Sequence, residues 1–187
     1  MRDKVPVNIV RSRRKTYSIE VLADGSVTVR VPWLTSKRQI EKLLHEKADW
    51  IEKKQRKMTA VSARAAEQGA FSPEDLKRLT LEAEAMLPQK VAVFAEQMGV
   101  SYQAVRIRHQ KTRWGSCSSK GNINLNCLLM CAPEHVQNYV VVHELCHLKQ
   151  MNHSPLFWQE VASVLPDYQK SYRWLKENGN VLMERMK

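Results

Sequence analysis

The chain has 187 residues, of which 43% are hydrophobic and 26% charged, ordinary for a globular protein and enough for one sizeable domain or a domain with a small appendage. No apolar run approaches the roughly 18–20 residues of a membrane span, and the start "MRDKVPVNIVRSRRK" lacks the apolar core of a signal peptide, so a cytoplasmic protein with no membrane partner is expected. Net charge is +11 and lies mainly in the first third: residues 1–60 hold 15 Lys+Arg against 7 Asp+Glu, residues 61–187 hold 15 against 12. Such a region suits phosphates or an acidic partner, or is a solvated basic face, since no nucleic-acid-binding motif accompanies it. The four cysteines (Cys117, Cys127, Cys131 and Cys146) contain no CxxC pair, which speaks against a zinc ribbon and for reduced, buried thiols.

From Val7 to Val31 the pattern is strand-like, with the alternating runs "YSIEVL" and "SVTVRV" flanking Asp24-Gly25, a hairpin signal. A helix follows from Thr35 or Ser36, with Ile40, Leu43, Leu44 and Ile51 at helical spacing. "MTAVSARAAEQGAFS" reads as a linker, which places the chain's one break near residues 60–72. Ser72, Pro73, Glu74 and Asp75 open the next helix, which runs toward Gly99 with a kink or break at Pro88. "YQAVRIRHQ" and "INLNCLLM" are strands on either side of the loop "KTRWGSCSSKGN". Helices then start at Ala132-Pro133-Glu134, at Ser154-Pro155 and at "YQKSYRWLKENG", the last stopped by Gly179. The expected organisation is a basic hairpin-plus-helix subdomain over 1–60 and a larger domain over 73–187, or one continuous domain over 1–187. The class is α+β, with a small antiparallel sheet packed on a helix.

That helix carries "HELCHLKQMNH", residues 143–153. His143 and His147 are four apart, so on a helix they lie about 40° from each other and one turn up, able to reach one metal ion from one face. Glu144 is displaced by about 100° from His143 and about 60° from His147, beside the metal rather than on it. Two neutral nitrogens for zinc and a carboxylate to take a water's proton are what HExxH supplies. A catalytic zinc takes three protein ligands and keeps an open position. On a continued helix His153 lies about 240° from His147, so the helix has to end near Gln150–Asn152 for His153 to turn back, and Asn152 can adopt the left-handed conformation that such a stop needs. Glu160 is the alternative third ligand, and His45, His109 and His135 read as surface or core residues.

"TRWGSCSSKGNINLN", "YVVVHELCHLKQMNHSPLFW" and "PDYQKSYRWLKENG" resemble the YgjP-like metallopeptidase family, relatives of SprT-like and WLM zincins. The resemblance implies a zincin-like domain, His143, His147 and His153 as metal ligands, Glu144 as general base, and a cleft wall formed by Arg113–Cys117 with the strand after it. Family members often carry a large aromatic residue after "NLN", where this chain has Cys127. Gln150 stands where metzincins have glycine and no Met-turn is recognisable, which separates the chain from that group.

The expected function is zinc-dependent hydrolysis of a peptide bond in a peptide or protein substrate, with one Zn2+ and Glu144 as the catalytic base. Arg113, Trp114, Tyr168 and Tyr172 are the candidate substrate or oxyanion contacts, with core packing the ordinary role of a tryptophan. Two rival readings use the basic N-terminal region: a metal-dependent nucleotide pyrophosphohydrolase, and a nucleic-acid-associated protease module. Against the first, no phosphate-cradling Gly-rich loop is present.

Overall fold

Alternating apolar residues on both sides of a tight turn pair as a hairpin, and the computed structural model, which describes residues 7–22 and 24–187, contains one. Strands β1 (Val7–Ser12), β2 (Ser18–Val21) and β3 (Val27–Pro32) form a sheet in the order β1-β3-β2. β2 runs antiparallel to β3 with Val21 opposite Val27, and β1 runs parallel to β3. In the turn, the Asp24 carboxylate accepts from the Ser26 N–H at 2.9 Å and from its hydroxyl at 2.7 Å. Gly25 has φ +81°, a conformation that a side chain resists. Val27, Val29 and Val31 of β3 form a small core with Val21, Ile40 and Ile51.

Helix α1 (Lys37–Glu46) begins at Ser36, whose hydroxyl accepts from the Gln39 N–H while the Gln39 carboxamide accepts from the Ser36 N–H. The single helix expected here is two, because Lys47 leaves helical geometry (φ −105°, ψ 8°) before α2 (Ala48–Gln68) starts. The expected linker near residues 60–72 is helix as far as Gln68. Its alanines, Arg64, Glu67 and Gln68 are strong helix formers, and Val61 and Ala65, four apart, are buried on one face of it. The chain falls into two compact units, Met1–Gln68 and Gly69–Lys187.

The second unit opens on α3 (Pro73–Met98), capped by reciprocal bonds between Ser72 and Asp75 and closed by Gly99 in the left-handed conformation. Leu79, Ala83, Leu87, Val91, Ala95 and Met98 recur every three or four residues and are buried, a single apolar stripe. Packing of that stripe holds α3 continuous through Pro88, in place of the expected kink or break. Strands β4 (Ala104–Arg108), β5 (Gly115–Cys117) and β6 (Asn122–Asn126) form a second sheet in the order β4-β6-β5. This sheet is mixed rather than antiparallel: β5 and β6 pair antiparallel and β4 runs parallel to β6. β5 lies within the stretch expected as loop, and β6 ends at Asn126, whose side chain accepts from the Leu128 N–H at 3.1 Å. That bond turns "CLLMC" into a 3-10 helix instead of more strand. Cys127 is fully buried there, and all four cysteines are free thiols.

Helices α4 (Glu134–Cys146), α5 (Pro155–Val164) and α6 (Tyr168–Arg185) complete the unit. α4 packs on α3, α5, α6 and strands β5 and β6, so it lies in the core. Two expected stops are placed differently. α4 ends at Cys146, and Leu148, Lys149 and Gln150 continue as a turn whose N–H groups bond to Leu145 and Cys146 carbonyls. Asn152 therefore has no left-handed role, and no described non-glycine residue has positive φ. α6 runs on through Gly179, which is buried against Trp114: a β-carbon there would lie 3.0 Å from the indole nitrogen. Gly179 answers a need for close approach, not for a helix end. None of the helices among the described residues is long and apolar enough to cross a membrane.

Leu87 is fully buried in the middle of the α3 stripe. Leu87→Ala is expected to lower the unfolding free energy by about 2–5 kcal/mol, read as a shift in the urea midpoint. A shift below about 1 kcal/mol would show that α3 is not the core element described.

Candidate active site

His143 lies in the last turn of α4 and His147 just beyond its end, in residual αR geometry (φ −65°, ψ −17°). His153 comes from the segment before α5, which Ser154 caps with its hydroxyl toward the Phe157 N–H. One candidate ligand nitrogen from each of the three rings falls within 4.8 Å of the others, a set able to hold a metal ion. His143 Nε2 and His153 Nε2 face each other at 3.0 Å. Two nitrogens on a tetrahedral ion with bonds of about 2.05 Å stand roughly 3.3 Å apart, so a small outward movement seats both lone pairs on one cation. His147 Nδ1 donates to the Gln150 carbonyl at 3.1 Å, which leaves its Nε2 as the lone-pair atom. The turn that ends α4 therefore also selects the tautomer of a candidate ligand. The donor set, three imidazoles, fits zinc and other borderline metals.

Burial governs the charges. His143 is pushed down to about 3 by burial, with His147 and His153 adding like-charge repulsion, so its ring is neutral and free to ligate. His147 is also lowered, again mainly by burial. Glu144, 5% exposed, is pushed up to about 8 by the same desolvation, opposed by the Arg113 guanidinium. A cation in the histidine cluster acts on Glu144 in the same direction as Arg113, toward the ionised form.

The carboxylate of Glu144 rests on the backbone of β5. A β-carbon at Gly115 would lie 2.7 Å from both Cγ and Oε1 of Glu144, closer than packed atoms tolerate, so only glycine leaves room for this rotamer. Gly115 is in turn held by Asn126, which is fully buried. The Asn126 amide donates to the carbonyls of Gln110 at 2.6 Å and Arg113 at 2.8 Å, and its N–H bonds to the Trp114 carbonyl at 2.9 Å.

Of the expected substrate contacts, Arg113 is exposed and acts electrostatically on Glu144, while the Trp114 ring packs against Gly179. Tyr168 stacks between Trp158, at 5.6 Å, and Tyr139, at 6.1 Å. Tyr172 meets the Trp158 ring edge-on at 6.5 Å. Glu160, the alternative ligand, is outside the cluster and paired with Lys149 at 3.0 Å. His45, His109 and His135 are exposed and also outside it.

Tyr139 and Phe157 are residues that sequence reasoning passes over, while Gly115 and Asn126 enter it only through the expected cleft wall. Phe157 is fully buried and its ring centroid lies 4.7–4.9 Å from those of all three histidines, the apolar floor of the cluster. Tyr139 is within reach of such reasoning, because 139, 143 and 147 form one i, i+4 stripe. Its phenol is raised by burial and then by the nearby Tyr172, Tyr168 and Glu144.

The family model for YgjP-like, metallopeptidase domain, matches residues 15–80 and 76–178. The chain belongs to the YgjP-like metallopeptidase family. As a YgjP-like metallopeptidase it is a hydrolase, and its substrates are peptides or proteins. Among solved structures, the metallopeptidase zymogen abylysin of Pyrococcus abyssi is similar at 29% identity and a TM-score of 0.45, over 49% of this chain and 94% of that one. The metallopeptidase zymogen jannalysin of Methanocaldococcus jannaschii is similar at 18% identity and a TM-score of 0.45, over 49% and 95%. No curated protein matches the chain.

The geometry of this YgjP-like site has two measurable outcomes. Gly115→Ala drives Glu144 out of its rotamer, so activity is expected to fall at least about tenfold in kcat while metal content and the unfolding midpoint stay near wild type. Unchanged kcat in that variant would show that Glu144 does not depend on the β5 backbone. In metal-free protein, Glu144 takes up a proton on folding between its ordinary 4.5 and about 8, so stability falls as pH rises across that interval. His143 releases one between 6.5 and about 3, and His147 acts with the same sign, so stability also falls as pH drops below 6.5. The chelator-treated protein is expected to have its highest urea midpoint at about pH 6.5, and a midpoint climbing steadily from about pH 6.5 to 8 would contradict these shifts.

Proposed function

We propose that the protein is a zinc-dependent peptidase in which His143, His147 and His153 hold one zinc ion and Glu144 is the general base. The observation that carries this reading is the convergence of three ring nitrogens, with His143 and His153 facing each other at 3.0 Å and the Nδ1 of His147 engaged by Gln150. Three neutral imidazoles suit a catalytic zinc, which keeps a further position for exchange. When bound, zinc polarises the scissile carbonyl and makes water a nucleophile near neutral pH.

The chain's own residues do the rest. Glu144 accepts the proton of the attacking water and returns it to the leaving amine, the step a positioned carboxylate performs in such a site. The absence of a β-carbon at Gly115 leaves room for the Glu144 carboxylate, and Arg113 favours its ionised form. Arg113, Tyr168 and Tyr172 are assigned as donors to the oxyanion, with the buried Tyr139 hydroxyl beside them. Phe157 and the core around α4 exclude water from the back of the histidines. We assign this chemistry to residues 73–187 and treat basic residues 1–60 as a separate subdomain.

Metal analysis of the purified protein is expected to give about one equivalent of zinc, and less than about half an equivalent would count heavily against the site. Glu144→Gln is expected to keep the metal and lose about 10²–10⁴ in rate on a casein-type substrate. Nucleoside triphosphates are assayed alongside. Triphosphate hydrolysis that disappears in Glu144→Gln, with no proteolysis in wild type, would replace the peptidase reading.

A further inference from the structure

We propose that the cavity between α5 and α6 is a binding subsite for an aromatic side chain of the substrate, next to the scissile bond; this inference rests on the peptidase reading above. The cavity measures about 340 Å³ and is lined by Trp158 of α5 and by Tyr168, Gln169, Tyr172 and Arg173 of α6. That volume falls at the lower end of the roughly 300–1,000 Å³ of small-ligand sites, suited to one side chain rather than a large cofactor.

Three observations point to an aromatic guest. First, the cavity adjoins the histidine cluster through a shared ring. Trp158 stacks on His153, centroids 5.8 Å apart and planes 30° from parallel, and the same Trp158 lines the cavity. A side chain entering here belongs to a residue whose backbone lies close to the metal ligands. Second, the rings are disposed to receive another ring. Trp158 and Tyr168 already stack on each other at 16°, so the wall offers a guest their edges and the open ring of Tyr172, which stands at 66° to Trp158. Aromatic groups favour the combination of stacked and edge-on neighbours. Third, Tyr172 is 40% exposed although its ring belongs to this cluster. A ring left open beside an active site gains contact area when a substrate ring covers it.

The rim sets polarity. Gln169 and Arg173 are exposed at the cavity edge, and the Lys176 ammonium sits 4.4 Å from the Tyr172 ring centroid. These cationic and amide groups suit the carbonyls of a peptide continuing past the aromatic residue, or a carboxylate on it. They oppose a basic side chain. The predicted substrate is therefore a peptide with Phe, Tyr or Trp beside the cleaved bond and no Lys or Arg immediately beyond.

The test uses the full-length zinc-loaded protein and a peptide library varied one position at a time around the cleavage point. Wild type is expected to favour an aromatic over Ala at one position by about ten- to a hundredfold in kcat/KM. Gln169→Trp, which fills the cavity, is expected to abolish that preference, bringing kcat/KM for the aromatic peptide down to that for the Ala peptide. Arg173→Glu is expected to shift the preference toward peptides carrying Lys beyond the aromatic residue. A flat profile, or an aromatic preference that Gln169→Trp leaves intact, overturns the proposal. Binding is read independently of cleavage, by NMR titration of Glu144→Gln with N-acetyl-phenylalaninamide and N-acetyl-alaninamide. Shifts in Trp158 and Tyr172 signals with the first ligand only, lost in the Gln169→Trp background, support the subsite even if no peptide is cleaved. Absence of those shifts overturns it. Absence of cleavage with the shifts present counts against the peptidase reading alone.

Discussion

Helix α4 has to carry ionisable groups through the core, and that constraint organises the second unit. Val140, Val141, Val142, Leu145 and Cys146 bury it, while His143 and Glu144 interrupt the apolar run in its last turn. A protonated imidazole or an ionised carboxylate is costly there, so both groups are held in the neutral form. A positive ion among the rings changes that balance for Glu144, because it offers the carboxylate a counter-charge in a place that water does not reach. The burial that penalises the free charges also strengthens their interaction with a metal. The neighbouring elements serve this helix in turn. α5 presents Phe157 as floor, the turn after α4 orients His147, and β5 shapes the space for Glu144.

The histidine cluster is legible in the sequence because helical periodicity is a strict rule. His143, Glu144 and His147 can be placed on a wheel from their spacing alone, and Ser154-Pro155 marks the restart that lets the chain double back at His153. What is not legible is long-range. Nothing local to "RWGSC" says that the chain is strand at Gly115 or that a glycine is needed because a carboxylate from a residue 29 positions later lies against it. Asn126 is similar: its side chain bonds to carbonyls 13 and 16 residues earlier, a use of asparagine that no spacing rule announces.

Two departures in the fold, at Pro88 and Gly179, have one cause. Glycine and proline read locally as punctuation, and tertiary packing decides otherwise. Pro88 sits inside a continuous helix because the buried stripe on either side of it keeps α3 together, and Gly179 is interior because a tryptophan needs the room. The alanine-rich end of α2 resembles a linker because it has few large apolar residues, yet alanine lowers the cost of helix formation and Val61 and Ala65 are buried on one face. Where glycine or serine closes a clear apolar pattern, as at Gly25, Ser36, Ser72 and Gly99, local reading and structure agree.

The contact between Trp114 and Gly179 makes α6 a shared beam. One end of the helix lines the aromatic cavity with Tyr168 and Tyr172, and two turns beyond Tyr172 it bears on the residue that precedes Gly115. Through Gly115 the same span reaches the rotamer of Glu144. The wall of the aromatic cavity and the strand beside the Glu144 carboxylate therefore lean on one helix, at points two turns apart.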